Sequence, residues 1–174
     1  LSGTQGQNVA RGQNGVTESG KSADYSGVAD DCKTAKECVE RADELLNGEE
    51  NALLRLAYLD RAVELNDTSR SALWSRGVLK LFELDDNQMG AMADFNKVIS
   101  LDSTLALAFG LRGMAKLLLG DKRGALVDFD KSIIMDPKLA ISYYNRGFLM
   151  LQDGEIDKAC WDFSKAGELG EERA

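Results

Sequence analysis

Residues 140–166 read AISYYNRGFLMLQDGEIDKACWDFSKA, and the core of this stretch occurs twice more upstream. Asp-Phe-x-Lys stands at Asp94-Phe95-Asn96-Lys97, Asp128-Phe129-Asp130-Lys131 and Asp162-Phe163-Ser164-Lys165, each 34 residues from the next. An Arg-Gly pair keeps nearly the same beat at Arg76-Gly77, Arg112-Gly113 and Arg146-Gly147, with steps of 36 and 34. A period in the thirties marks a repeat architecture: one supersecondary unit cannot bury its apolar face alone, so stacked neighbours share a core. Such a stack offers extended surfaces rather than an enclosed reaction chamber. What those surfaces bind becomes the functional question.

Working outward, the pattern is helical from about residue 34 to 169. Apolar residues recur at helical spacing in Leu53, Leu56, Leu59, Ala62 and Val63, and again in Ala125, Leu126, Phe129 and Ile133. Turn signals interrupt it at Asn47-Gly48, Asn66-Asp67, Asp85-Asp86-Asn87, Gly120-Asp121, Asp136-Pro137 and Asp153-Gly154. These breaks predict eight helices in four pairs, with units near 36–69, 70–105, 106–139 and 140–173. The unit 70–105 carries two extra residues, expected in the stretch from Asp85 to Gly90. Residues 1–33 are Gly-rich and polar and read as a flexible tail, since they offer too little apolar surface to offset ordering entropy.

The composition, 44% hydrophobic and 29% charged, suits a globular chain with a real core. A net charge of −8 argues against nucleic acid or an anionic membrane as the main partner. No apolar run approaches the roughly 18–20 residues that span a bilayer. The chain has no histidine and three cysteines, which leaves little for metal or general-base chemistry. Asp85-x-Asn87 opens like a calcium loop, but Met89 and Lys97 occupy places that need oxygen ligands. No phosphate-cradling glycine motif occurs. The expectation is therefore a non-enzyme without cofactor or metal.

Cys32 and Cys38 form a candidate disulfide. On one continuous helix the pair is held about 9 Å apart and cannot bridge; if Cys32 precedes the helix it can. Free thiols are the expectation. The polar N-terminus and its two nearby cysteines lean toward export, with the compartment otherwise open.

The repeated unit resembles the tetratricopeptide repeat, with a small residue where its two helices cross and an alanine opening the second helix. The matching positions are Gly77, Gly113 and Gly147 in the first helices, and Ala91, Ala125 and Ala159 in the second. A mid-helix glycine costs about 1 kcal/mol against alanine, so three at one phase imply a neighbour too close for a side chain. The resemblance covers about residues 36–173 and is weakest in the first unit, where Asp43 and Arg55 replace the glycine and the alanine. It implies an all-α, right-handed solenoid of four helical hairpins. Arg76, Arg112 and Arg146 are expected to pair with Asp94, Asp128 and Asp162 within their units, as scaffold.

The resemblance further implies a concave face lined by the first helix of each pair. Matched by phase, the candidate groove residues are Trp74, Val78, Leu81, Leu107, Leu111, Met114, Ile141, Tyr144, Asn145 and Phe148. The set is apolar and carries aromatic anchors with a pliable methionine. Repeats of this family that clamp an acidic C-terminal tail place Lys, Asn and Arg there; only Asn145 matches, which disfavours that mode. The expectation is a scaffold or adaptor that binds a mostly apolar peptide or helix, with self-association through the same surface as the alternative. Cys160 and Trp161 on the last helix are expected at the surface.

Overall fold

The computed structural model describes residues 27–45 and 51–171, and among these residues there are eight α-helices and no strand. They are α1 (Ala35–Glu44), α2 (Ala52–Leu65), α3 (Arg70–Phe82), α4 (Gln88–Leu101), α5 (Ala106–Leu118), α6 (Lys122–Met135), α7 (Ala140–Gln152) and α8 (Ile156–Glu171). Successive helices pair as hairpins, α1 with α2 through α7 with α8, and each second helix also packs on the first helix of the next hairpin. The Asn47-Gly48 turn and residues 1–26 of the tail lie outside the described residues.

Local chemistry repeats with the units. Between units, a short side chain accepts the backbone N–H two residues on: Asn66 from Thr68 at 3.1 Å, Asp102 from Thr104 at 3.0 Å and Asp136 from Lys138 at 3.0 Å. Within hairpins, Asp86, Gly120 and Gly154 stand in phase, and all take positive φ, at 56°, 82° and 79°. That conformation costs glycine nothing, and aspartate tolerates it. The link from α3 to α4 runs through residues 83–87, whereas α5 to α6 needs only 119–121. The two extra residues therefore lie ahead of Asp86; Met89 and Gly90 are already in α4, so the insertion ends earlier than Gly90.

The helix crossings explain the in-phase glycines. A Cβ on Gly77 would sit 3.0 Å from the Phe95 ring, one on Gly113 2.8 Å from Phe129, and one on Gly147 3.1 Å from Phe163. Phe95 and Phe129 are fully buried. Each ring lies directly over the crossing point, and the first helix can approach only because nothing projects there.

The cysteines correct the expectation of free thiols. Cys32 lies before α1 and bonds to Cys38 within it, with a Cα–Cα distance of 5.4 Å. A short 3-10 turn, Val28–Asp31, leads into the bond. Ala29 and Cys32 are buried against α1 and α2, so this part of the sequence-assigned tail is packed. Asp31 faces Tyr58 of α2, whose hydroxyl donates at 3.5 Å, and Arg41 of α1 at 3.7 Å.

Candidate interaction surface

The Arg–Asp pairs anticipated within each unit form, and they reach farther than that. Arg112 donates from Nε and Nη2 to the two carboxylate oxygens of Asp128 at 2.8 and 2.6 Å. Its Nη1 crosses to Asn96 on α4 of the preceding unit at 2.9 Å. Arg76 does the same with Asp94 and, at 2.8 Å, with Asp60 of α2. Arg146 repeats it with Asp162 and, at 2.7 Å, with Asp130 of α6. The in-unit carboxylates Asp94, Asp128 and Asp162 are 2–3% exposed. Burial of Arg76 works against its charge, but its bonds to Asp94 and then Asp60 outweigh that and raise its pKa. For Arg146 the Asp162 bonds lead, and its pKa is raised as well. The raised values keep Arg76 and Arg146 charged at any ordinary pH. The pairs join helices within and between units.

The first helices form one wall of the stack: α1 touches α3, and α5 touches α7. Along that wall the repeat phase aligns side chains in rows. Ser71, Leu107 and Ile141 make one; Val78, Met114 and Phe148 another; Phe82, Leu118 and Gln152 a third. Trp74 and Tyr144 flank Gly110, which is buried where Ser132 and Ser142 meet through a 2.7 Å hydroxyl bond. Trp74 stands edge-on to Phe95 at 5.9 Å, and Tyr144 lies tilted against Phe163 at 5.6 Å. Beside Trp74 is an open hollow of about 660 Å³ lined by Arg70, Ser71, Trp74, Ser75, Leu105 and Leu107. Arg70 is held by Asp102, whose carboxyl lies below its usual range because of Thr104 and, less, Arg70.

Of the candidate groove residues, Ile141, Tyr144 and Phe148 are exposed, and Trp74, Val78, Leu107 and Met114 are half-buried on this wall. Leu81 and Leu111 are core instead: both are buried in one cluster with Ala91, Phe95 and Ala115. They face the neighbouring unit, about one residue of helical phase from the open wall. Asn145 is also largely buried, at 8% exposure. Phe82 and Leu151, absent from the sequence-derived set, are 51% and 45% exposed. Phe82 was findable: it stands 36 residues before Leu118, in one row.

The exposure of the last unit has a structural cause. In the second unit, Leu111 and Ala115 of the incoming α5 pack over Trp74 and Val78. In the third, Leu149 of α7 packs with Met114 and Leu117. Their counterparts in the fourth unit, Tyr144, Phe148 and Leu151, are packed by no further helix among the described residues and are 57%, 44% and 45% exposed. Cys160 and Trp161 are exposed as well.

Four stacked helical hairpins, the last three crossing at a glycine, define an all-α solenoid of the tetratricopeptide type. Solved structures of MamA share the fold. One superposes with a TM-score of 0.69 at 21% identity, covering 80% of each chain. MamA 41-end from Desulfovibrio magneticus RS-1 superposes at 0.70 with 17% identity, covering 79% of this chain and 76% of the other. At the level of sequence, no family model and no curated protein matches. No described helix is long and apolar enough to cross a membrane.

Proposed function

We propose that this protein is a non-catalytic interaction scaffold whose first-helix wall binds a mostly apolar peptide or helix. The observation that carries the reading is the run of large apolar side chains left uncovered on one wall: Phe82, Leu118, Ile141, Tyr144 and Phe148, with Trp74 over its hollow. Large apolar side chains left exposed along one wall mark interaction sites on globular proteins. Trp74 and Tyr144 are rigid amphipathic anchors, and Met114 between them adapts to different side chains. Leu107 and Val78 extend the apolar floor. Asn145, at 8% exposure, contributes little contact area.

Binding on such a wall is driven by apolar burial and should resist salt, because screening weakens exposed charge pairs far more than it does burial. Peptides selected on the wild-type chain from a displayed random library are expected to be enriched in aromatic and aliphatic residues. Their affinity should change less than threefold between 50 and 500 mM salt (order of magnitude), and Trp74→Ala with Met114→Ala should abolish it. A consensus rich in acidic residues, salt-labile binding, or indifference to that double substitution would overturn the reading.

A further inference from the structure

The buried aspartates of the second, third and fourth units have the same arginine but not the same second cation. Asp94 also receives the Lys80 ammonium, at 3.0 Å, and Asp128 receives that of Lys116, at 2.8 Å. Both lysines extend from the first helix of their unit, four residues after the arginine. The residue at that place in the fourth unit is Met150. Asp162 is as buried as its counterparts, at 2% exposure, yet Arg146 is its one cationic partner among the described residues. A cavity of about 500 Å³ opens beside it, with Leu126, Met150, Asp157 and Trp161 among its walls.

We propose that this cavity binds a primary ammonium group carried on an apolar stem, the chemistry of a lysine side chain. The ammonium donates to the Asp162 carboxylate, as Lys80 and Lys116 do in their own units. The methylene stem runs along the Met150 thioether and Leu126. Trp161, 58% exposed at the rim, offers its indole face to the cation. Charge favours such a guest. Three carboxylates line the cavity, Asp130, Asp157 and Asp162, against Arg146 and Lys158. Arg146 is already committed to Asp162 and Asp130, and Lys158 to Glu155. A calcium ion fits poorly, because it needs six or more oxygen ligands and Asp162 is already engaged by a guanidinium. This site is separate from the first-helix wall and stands or falls independently of it.

Titration of the full chain with n-butylammonium and with N-acetyl-lysine methylamide, read on the Met150 methyl and Trp161 indole NMR signals, tests the assignment. Saturable shifts are expected with dissociation constants on the order of 1 mM, fitting one charge-assisted contact on a short stem; 1-butanol should give none. Met150→Lys supplies the ammonium internally. It should raise the melting temperature and weaken amine binding at least tenfold (order of magnitude), read at Trp161. Trp161→Ala, at an exposed position, should weaken binding severalfold, read at Met150, and it provides the test if Met150→Lys does not fold. If the blocked lysine binds as well as n-butylammonium, a protein side chain fits the site; if only n-butylammonium binds, the guest is a free amine. No saturable shift, an equal response to 1-butanol, or unchanged affinity in a folded Met150→Lys or Trp161→Ala variant would overturn the proposal.

Discussion

Replacing Gly113 with alanine sets two known effects against each other. Inside a helix, alanine is favoured over glycine by about 1 kcal/mol, so at an unobstructed site the substitution stabilises. At Gly113 the new Cβ would lie 2.8 and 2.9 Å from the Phe129 ring and 3.1 Å from the Cβ of Asp128. Neither neighbour can yield easily. Phe129 is fully buried, and the Asp128 carboxylate is clamped by Arg112 and Lys116. Overpacking of this kind costs about 1–3 kcal/mol, and separating α5 from α6 would also strain the Arg112–Asp128 bonds. The steric cost wins, leaving a net loss of about 1–2 kcal/mol. Gly167 supplies the control: it is exposed within α8, and an added Cβ would meet nothing within 4 Å. Gly167→Ala should therefore stabilise by up to about 1 kcal/mol. For a chain of this size 1 kcal/mol moves the melting temperature by about 2–4 °C, so thermal melts followed by circular dichroism should separate the two variants by roughly 5–10 °C. A Gly113→Ala protein that melts at or above the wild type would refute the close-crossing explanation of the repeated glycines.

The ladder makes an ordered prediction. Breaking a buried ion pair costs about 3–5 kcal/mol, but Arg112→Ala leaves Asp128 its Lys116 while Arg146→Ala strips Asp162 of its one described cation. Urea unfolding should thus show Arg146→Ala the more damaging by about 1 kcal/mol or more; equal losses would contradict the role given to the lysines. Reducing Cys32–Cys38 should lower stability by about 2 kcal/mol, the loop being short, with proteolysis increasing first near the 3-10 turn. Thiol titration should count one reactive cysteine, Cys160, in the native protein and three after reduction and denaturation. Burial, followed by the Asp31 carboxylate, raises the Tyr58 pKa above its ordinary 10.0. The folded state holds the phenol neutral, so its contribution is complete below about pH 10 and is lost as pH rises through the higher folded value. Absorbance titration at 295 nm should show this late ionisation, and Asp31→Asn should bring it earlier.

The scaffold was legible in the sequence because it is written by residues that repeat. Gly113 and Phe129 recur in phase since each of the last three units crosses its hairpin there, and Arg112 with Asp128 recurs since each of those units ties its two helices. The exposed wall was read less well, and for Leu81 and Phe82 the cause is helical phase. Helical phase fixes a residue's direction to within about one position, which separates Leu81 from Phe82 poorly when both are apolar. Leu81 turned inward and Phe82 outward. Asn145, chosen for its polarity, is 8% exposed, which hydropathy and phase do not reveal. The disulfide hinged on where α1 begins, and the Thr34 side chain that accepts the Glu37 N–H at 3.1 Å sets that boundary after Cys32.

The ladder also gives the stack a direction. Each arginine reaches back to the second helix of the unit before it: Arg76 to Asp60, Arg112 to Asn96, Arg146 to Asp130. The first unit has no such arginine; in the repeat phase Ala42 and Tyr58 take the places of Arg76 and Asp94. There the 3-10 turn packs on the first hairpin, presenting Asp31 to Tyr58 and Arg41 and held in place by the disulfide. That face of the solenoid is closed by charge, a hydroxyl and a covalent bond. The opposite face, on α7 and α8, carries Tyr144, Phe148 and Leu151 in the positions that elsewhere receive a helix. A partner helix can reach those three side chains directly, whereas at the first unit it would have to displace a covalently pinned turn. The asymmetry predicts that substitutions at Phe148 and Leu151 will impair association while leaving the melting temperature nearly unchanged. Substitutions at Ala29 or Tyr58 should do the reverse.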